Sequence, residues 1–337
     1  MLKPKGQRVC RFCKRRNPEV TFKKKAHKIP YSLGNKAYLW DQECDSCNRV
    51  FSRFESDLGS FLGFSRTQFD IKGGSNTPIF SSGDSNVEAV RFNSDFMLLH
   101  RKDMSKGMTF DVEKAQYVVD ISRRPHVPAY VYNAFLKIAL SVLPDCDVPG
   151  YYFAYKYILS SGKYDSVIGP RKVIIAESNY GYEAPIAVLY KRRNNDFRFP
   201  LHLLSLYVRN FMFQISFPFH ISEVRRRSFG VIELHTPYLD FTTVTPEPFE
   251  IKRKEVDLHS TELFVPEKED LIIQMDRKDM ENAVVAQLEP NFVDNLLKLA
   301  KRFERTDMLR QQTCGTVGEC GFDSLDDSVA PCPYTVE

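Results

Sequence analysis

The chain has no long apolar run and few cysteines, and these two absences exclude several classes of protein. No apolar stretch in its 337 residues reaches the roughly 18 residues that a membrane-spanning helix needs. The first residues also lack the apolar stretch of a secretory signal, so we expect a cytoplasmic chain with no membrane partner. Eight cysteines are too few for a disulfide scaffold, and a hydrophobic share of 43% excludes a disordered chain. What remains is an ordinary globular protein.

Charge is distributed unevenly along the chain. Residues 1–36 hold twelve Lys or Arg and one acid, a net of +11, whereas the whole chain carries +4. The other 301 residues therefore carry a net of −7. A strongly basic segment on a mildly acidic body indicates a polyanionic partner, most often nucleic acid. Charge alone leaves open whether the segment is only a solvated basic tail.

Four of the cysteines fall in the first 47 residues. Cys10 and Cys13 form one C-x-x-C pair, and Cys44 and Cys47 form a second pair after 30 intervening residues. Thiolates three residues apart on a tight turn can reach one ion at about 2.3 Å, and two such turns complete a tetrahedron. The spacing therefore predicts a structural zinc site. The alternative is two redox pairs, which normally occur in βαβ units that this segment lacks.

We expect an α+β fold, in which a small zinc-bound domain precedes a larger domain of mixed helices and strands. Breaker residues between positions 73 and 86 place the boundary there, with domains at 1–69 and 87–312, a linker at 70–86 and a flexible tail at 313–337. Aromatic residues at 197–219 indicate a buried sheet rather than a stacking surface. The patterns predict helices at 48–58, 128–143, 151–159 and 294–310, one arm of a hairpin at 21–27, and strands at 87–92, 96–100, 172–176, 185–190, 203–217 and 230–234.

An ordered set of motifs near the N-terminus resembles a known family. The chain reads AHKIP from residue 26, LGN from residue 33 and CDSCN from residue 44, and a predicted helix follows with Phe51 and Glu55. Over about residues 10–60 this order resembles the HNH (ββα-metal) endonucleases of the zinc-knuckle branch, including the endonuclease VII group. The resemblance implies a hairpin and helix around one catalytic divalent ion, Mg²⁺ or Mn²⁺, with zinc holding the frame. It also implies a DNA endonuclease, such as those of bacterial restriction or phage defence.

The candidate catalytic residues are His27, Asn48 and Glu55. His27 is close to neutral at pH 7 and can act as the base that activates water, and the resemblance places it on the hairpin facing the metal. Asn48 is expected to begin the helix, where its side-chain oxygen can cap the helix, bind the metal or orient His27.

One position departs from the family pattern. Alanine stands at position 26, where the family has a metal-binding acid. Glu55 is the obvious substitute, because it lies two helical turns after Asn48 on the same face; Glu43 and Asp57 are poorer candidates. The alternatives are that Glu55 is only a solvated carboxylate, that the site binds its ion weakly, or that catalysis has been lost.

Basic residues surround the proposed base and predict contacts to phosphate groups. DNA is therefore the expected partner, and an RNase or a catalytically inactive zinc-stapled nucleic-acid-binding module are the alternatives. The second domain is expected to supply recognition, regulation by a ligand or protein partner, or assembly into a homodimer, although its sequence indicates no chemistry. The predicted phosphate contacts are Lys14, Arg15, Arg16, Lys23, Lys24, Lys25, Lys28, Arg49 and Arg53.

Overall fold

The computed structural model describes residues 8–37, 39–73, 77–84, 86–91, 97–103, 108–111, 113–114, 116–160, 171–193, 196, 198–228 and 251–274. The predicted strand at 230–234, the predicted helix at 294–310 and the predicted tail at 313–337 lie outside the described residues. Helices and strands are mixed along the described part, which confirms the predicted α+β class. No helix in these ranges combines the length and the apolar composition needed to cross a membrane.

The described elements follow the predicted pattern in most places. The predicted helices at 128–143 and 151–159 and the predicted strands at 87–92 and 96–100 are confirmed to within one residue at each end. In chain order, the elements are β1 (Ala26–His27), a 3₁₀ turn (Tyr31–Leu33), β2 (Leu39–Trp40), α1 (Asp45–Leu62), α2 (Phe64–Gln68), β3 (Phe80–Ser81), β4 (Val87–Arg91), β5 (Met97–Arg101), β6 (Met108–Asp111), β7 (Gln116–Ser122), α3 (Pro128–Val142), a second 3₁₀ turn (Val148–Tyr151), α4 (Tyr152–Leu159), β8 (Lys172–Lys191), β9 (His202–Ser216), α5 (Ile221–Ser228), β10 (Ile251–Asp257) and β11 (Lys268–Gln274).

The described strands pair antiparallel in small sheets. β1 pairs with β2, β4 lies between β3 and β5, β7 lies between β6 and β11, and β8 lies between β10 and β9. The predicted strands at 172–176 and 185–190 are the two halves of β8, separated by an irregular stretch of pairing with β9. Aromatic side chains of β9, including Tyr207, Phe211 and Phe213, are buried, so the prediction of a sheet core is confirmed.

Helix α1 forms because its apolar residues recur at helical spacing. Cys47, Phe51, Phe54, Leu58 and Phe61 are separated by four, three, four and three positions, and all are buried on one face. This face packs against α3. The helix ends at a glycine with φ of 47°, a backbone conformation that other residues adopt only with strain.

Helix α3 is the centre of the core. It begins with Pro128, which is favourable in the first helical turn because that position has no hydrogen-bonding partner for an N–H group. It contacts α1, α4 and β8, and its side chains are buried almost all round. The largest hydrophobic cluster continues across the predicted linker, since it unites buried residues from positions 10–71 with others from positions 131–258.

Arg11 ties the cysteine segment to the end of α3. Its side chain is buried, and Nε donates to the carbonyl oxygen of Leu140 at 3.0 Å and to the hydroxyl of Tyr155 at 3.2 Å. The other guanidinium nitrogens contact the carbonyl oxygen of Leu143 and the carboxylate of Asp145. The last carbonyl groups of a helix have no partner within it, so a buried cation is well placed there.

Candidate metal centre and candidate active site

The four cysteines predicted to bind zinc lie together. Their sulfur atoms all lie within 4.8 Å of one another, and the pairs Cys10–Cys47 and Cys13–Cys44 are each 3.7 Å apart. A tetrahedral site with Zn–S bonds of about 2.3 Å has sulfur–sulfur edges of about 3.8 Å, whereas a disulfide bond measures about 2.05 Å. All four are free thiols and could hold a metal such as zinc.

Local backbone geometry brings the two pairs to one point. In the first pair, Lys14 has a φ of 62°, and its N–H donates to the carbonyl oxygen of Cys10 at 2.9 Å, which closes a tight turn. In the second pair, Cys44 is the N-cap residue of α1 and Cys47 lies in its first turn. A metal held between them would fasten the first turn to the start of α1.

His27 lies on a hairpin as predicted, but the arm predicted at 21–27 is a strand only at Ala26–His27. In the β1–β2 pairing, Ala26 is opposite Trp40 and His27 is opposite Leu39. Successive side chains of a strand point to opposite faces, and here Ala26 is only 1% exposed whereas His27 is half-buried. Ala26 is therefore a packing residue. The Nδ1 atom of His27 is buried and receives no hydrogen bond from any described residue.

A buried lysine from the second predicted domain reaches the His27 region. The Nζ atom of Lys137 donates to the carbonyl oxygen of His27, and it lies 3.3 Å from Oε1 of Glu55 and 3.5 Å from Oε2 of Glu43. The side chain of Lys137 is 1% exposed, that of Glu43 is 0% exposed and that of Glu55 is 28% exposed. We call these four residues, together with Asn48, the Lys137 cluster.

The structure corrects the predicted position of Asn48 in this cluster. Helix α1 begins at Asp45, three residues earlier than predicted, so Asn48 neither starts nor caps the helix. Its Nδ2 atom instead donates to Oε1 of Glu43 at 3.0 Å. Glu43, which the sequence makes a poorer candidate for the missing acid, lies in the cluster beside Asn48, where its carboxylate faces Lys137. Glu55 lies in the same cluster through its ion pair with Lys137.

Sequence reasoning missed Lys137. One signal was present: it is the single charged residue of α3, whose remaining residues are apolar or neutral. A lone lysine in such a helix is rarely buried without a partner. The partners themselves could not be read from the sequence, because they lie 82 to 110 positions away.

Burial controls the protonation of the cluster. Desolvation lowers the pKa of His27, and the nearby Lys137 lowers it further, while Glu55 opposes both effects. The imidazole is therefore neutral at pH 7 and has a lone pair that can accept a proton. Burial raises the pKa of Glu43, an effect that Lys137 and the hydrogen bond from Asn48 oppose.

The placed residues do not fit the predicted Mg²⁺ or Mn²⁺ ion. Such an ion takes about six oxygen ligands, several of them usually water. Within the described ranges, only the four cysteines bring three or more potential His, Cys, Asp or Glu ligand atoms within 4.8 Å of one another. The carboxylates of Glu43 and Glu55 are instead directed at an ammonium group. We therefore derive no chemical step through a divalent ion here.

A cleft opens beside Glu55 along the exposed side of α1. Its volume is about 420 Å³, and two arginines, Arg66 and Arg124, contribute to its walls. Three small residues of α1 also line the cleft, and the Arg66 side chain lies close to one of them, Gly59. The three residues are Ser56, Gly59 and Ser60.

The predicted phosphate contacts lie mostly on the surface. The Lys23–Lys25 run is held at the start of α1, because Asp45 accepts hydrogen bonds from the backbone N–H groups of Lys23 and Lys24 at distances of 2.8 to 3.1 Å. Lys28 is half-buried, with Nζ 5.9 Å from the centre of the Trp40 ring. The exposed members are Lys14, Arg15, Arg16, Lys23, Lys24, Lys25, Arg49 and Arg53.

Comparison with protein-family models, with curated proteins and with solved structures gives no match to this chain.

Proposed function

We propose that the chain is a nucleic-acid phosphodiesterase, specifically a DNA endonuclease, in which His27 activates the attacking water. The observation that supports this most is the position of His27. It lies on a hairpin between the two cysteine pairs, its carbonyl oxygen shares Lys137 with Glu55 of α1, and its half-buried imidazole has a lowered pKa. A neutral imidazole can accept the proton of water as the oxygen attacks phosphorus.

The surrounding charges support a phosphate ligand. Eight of the nine predicted phosphate contacts are exposed, and the Lys23–Lys25 run leads directly into the strand that holds His27. Contacts from lysine and arginine position a nucleic-acid backbone without reading its sequence. In this proposal the Lys23–Lys25 run holds the phosphates on both sides of the bond to be cut, and the His27 side chain faces that bond.

A second candidate is a zinc-stapled nucleic-acid-binding module without catalysis. It is favoured by the burial of Ala26, which supplies no acid, and by the pairing of both cluster carboxylates with Lys137. An RNase is the third candidate, and a homodimer or a partner bound through residues 87–312 also stays a prediction.

Nicking of supercoiled plasmid separates these candidates. The purified chain is incubated with Mg²⁺, with Mn²⁺ and without a divalent ion, beside the His27→Ala and His100→Ala variants. His100 is a matched control, because it too is partly buried with a buried Nδ1 atom that forms no hydrogen bond with a described residue. We expect cleavage by the wild-type chain and His100→Ala and a loss of at least about 100-fold in His27→Ala. Equal cleavage by His27→Ala and His100→Ala would refute the assignment of His27.

Binding is measured in parallel to test the rival. Replacing the Lys23–Lys25 run by glutamine should weaken DNA binding and reduce its salt dependence, whereas the same change in the exposed Lys252–Lys254 run of β10 should not. Salt-dependent DNA binding without cleavage under any ion would favour the inactive module. Cleavage of structured RNA alone would favour the RNase.

A further inference from the structure

The Lys137 cluster is arranged like a small cation-binding site, and the cation in it is the ammonium group of Lys137. Two carboxylates from the N-terminal segment, Glu43 before α1 and Glu55 within it, approach the Nζ atom from 3.5 Å and 3.3 Å. The carbonyl oxygen of His27 is the third oxygen near it. The ammonium group donates hydrogen bonds to the His27 carbonyl oxygen and to Oε1 of Glu55, and Oε2 of Glu43 adds an ion pair without a hydrogen bond.

We propose that the ammonium group of Lys137 takes the place of a divalent cation in the His27 site. The proposal rests on the proposed function and deepens it, because it states which cation neutralises the carboxylates next to His27. Lys137 is a positioning residue: it holds the backbone of His27 and the carboxylate of Glu55, and it is too deeply buried to touch a substrate.

The burial of Lys137 and Glu43 prevents a metal ion from binding beside the ammonium group. The side chains of Lys137 and Glu43 are 1% and 0% exposed, so the space between them has no access for a hydrated ion. Mg²⁺ gives up its water reluctantly and requires near-octahedral oxygen ligation. An added ion would also share the same oxygens with a fixed positive charge, and charges of equal sign repel strongly in a poorly solvated site. Ion binding therefore requires the removal of Lys137.

A manganese titration tests this directly. Full-length, zinc-loaded protein is titrated with Mn²⁺, and bound ion is followed by the loss of the free-ion paramagnetic resonance signal. The wild-type chain is compared with Lys137→Ala, which empties the space, and with Lys137→Met, which removes the charge but fills the space. The double variant Lys137→Ala/Glu55→Gln empties the space and also removes the partly exposed carboxylate of Glu55.

We expect no Mn²⁺ bound at the cluster of the wild-type chain. Lys137→Ala should bind one Mn²⁺ there, with an affinity at least about tenfold above any residual binding by the other chains. Lys137→Met and Lys137→Ala/Glu55→Gln should bind none. A wild-type chain that binds one Mn²⁺, with binding lost in Glu55→Gln, would overturn the proposal. So would a folded Lys137→Ala that binds none. If Lys137→Ala fails to fold, the comparison of the wild-type chain with Glu55→Gln still decides.

Cleavage assays distinguish a failure of this inference from a failure of the proposed function. Free divalent ions are removed with a chelator, and the retained zinc content is checked. Cleavage that persists without added ions agrees with both proposals. Cleavage that requires Mg²⁺ and disappears in Glu55→Gln supports the nuclease and overturns the role of Lys137. A chain that cuts nothing and binds no Mn²⁺ refutes the nuclease while the Lys137 proposal stands.

Discussion

Replacing Lys137 by methionine should destabilise the protein strongly, because it leaves a buried carboxylate without its cation. Methionine preserves most of the side-chain length and tolerates the apolar surroundings of α3, so the substitution removes mainly the charge and its hydrogen bonds. The two carboxylates that pair with Lys137 differ in exposure: the side chain of Glu55 is 28% exposed, whereas that of Glu43 is 0% exposed.

This difference in exposure determines how much stability the Lys137→Met substitution removes. Water can hydrate Glu55 once Lys137 is gone, so that half of the cluster should cost at most about 1 kcal/mol. Glu43 cannot be hydrated, and removing one partner of a buried ion pair typically costs about 3–5 kcal/mol. Uptake of a proton by Glu43, whose pKa burial already raises, limits the penalty. We therefore expect a loss of about 3–5 kcal/mol, nearly all of it due to Glu43.

Urea unfolding followed by tryptophan fluorescence provides the assay. The only tryptophan, Trp40, is 9% exposed and lies 5.8 Å from the ring of Phe12, so its emission reports on the N-terminal segment. Lys172→Met is the matched control, since Lys172 lies 2.6 Å from Glu255 and both side chains are exposed, by 43% and 45%. That control should lose at most about 1 kcal/mol.

A second substitution identifies the source of the loss. Glu43→Gln removes the buried charge and can still accept the hydrogen bond from Asn48. Lys137→Met/Glu43→Gln should therefore recover most of the stability, and Lys137→Met/Glu55→Gln should recover little. The reasoning is refuted if Lys137→Met loses no more stability than Lys172→Met, or if the two double variants are equally stable.

Two further predictions concern the cysteine cluster and a buried histidine. Cys47→Ser should reduce the metal content from about one zinc per chain to well below one, because it removes one of four ligands, whereas Cys146→Ser, at an exposed free thiol, should retain it. Elemental analysis that finds no difference between these variants would contradict the four-cysteine site. Burial lowers the pKa of His202 to about 4 in the folded chain. As the pH falls, the unfolded chain therefore binds a proton at this residue near pH 6.5, before the folded chain does. His202 should consequently lower the free energy of unfolding by about 3 kcal/mol between about pH 6.5 and pH 4. His202→Phe should reduce that loss in urea unfolding at pH 7 and pH 5, and an unchanged pH dependence would contradict the assignment.

Regular spacing in the sequence predicted many of the described elements. The apolar period of α1 and α3 identified both helices, and the aromatic residues of β9 indicated a buried sheet. Boundaries were less certain where side chains can serve two roles. Asn48 is a good capping residue in isolation, but the N-cap position belongs to Cys44, and Glu43 offers Asn48 a hydrogen-bonding partner instead.

The candidate site likewise combines residues that the sequence predicts with residues that only the structure brings together. The spacing of the cysteine pairs predicts a metal site because each pair lies on one turn, and the family resemblance of the motifs at residues 26–48 identifies His27 as a candidate. The α+β class and the concentration of positive charge in residues 1–36 are likewise properties of the sequence alone.

Only the tertiary structure brings Lys137 to His27, Glu43 and Glu55. Its partners at His27 and Glu55 lie 110 and 82 positions away, and these contacts exist because the apolar face of α1 packs on α3. No local period contains that information. The packing decides whether the carboxylates can receive a metal ion, since the charge that satisfies them arrives from a distant helix and is held there by burial.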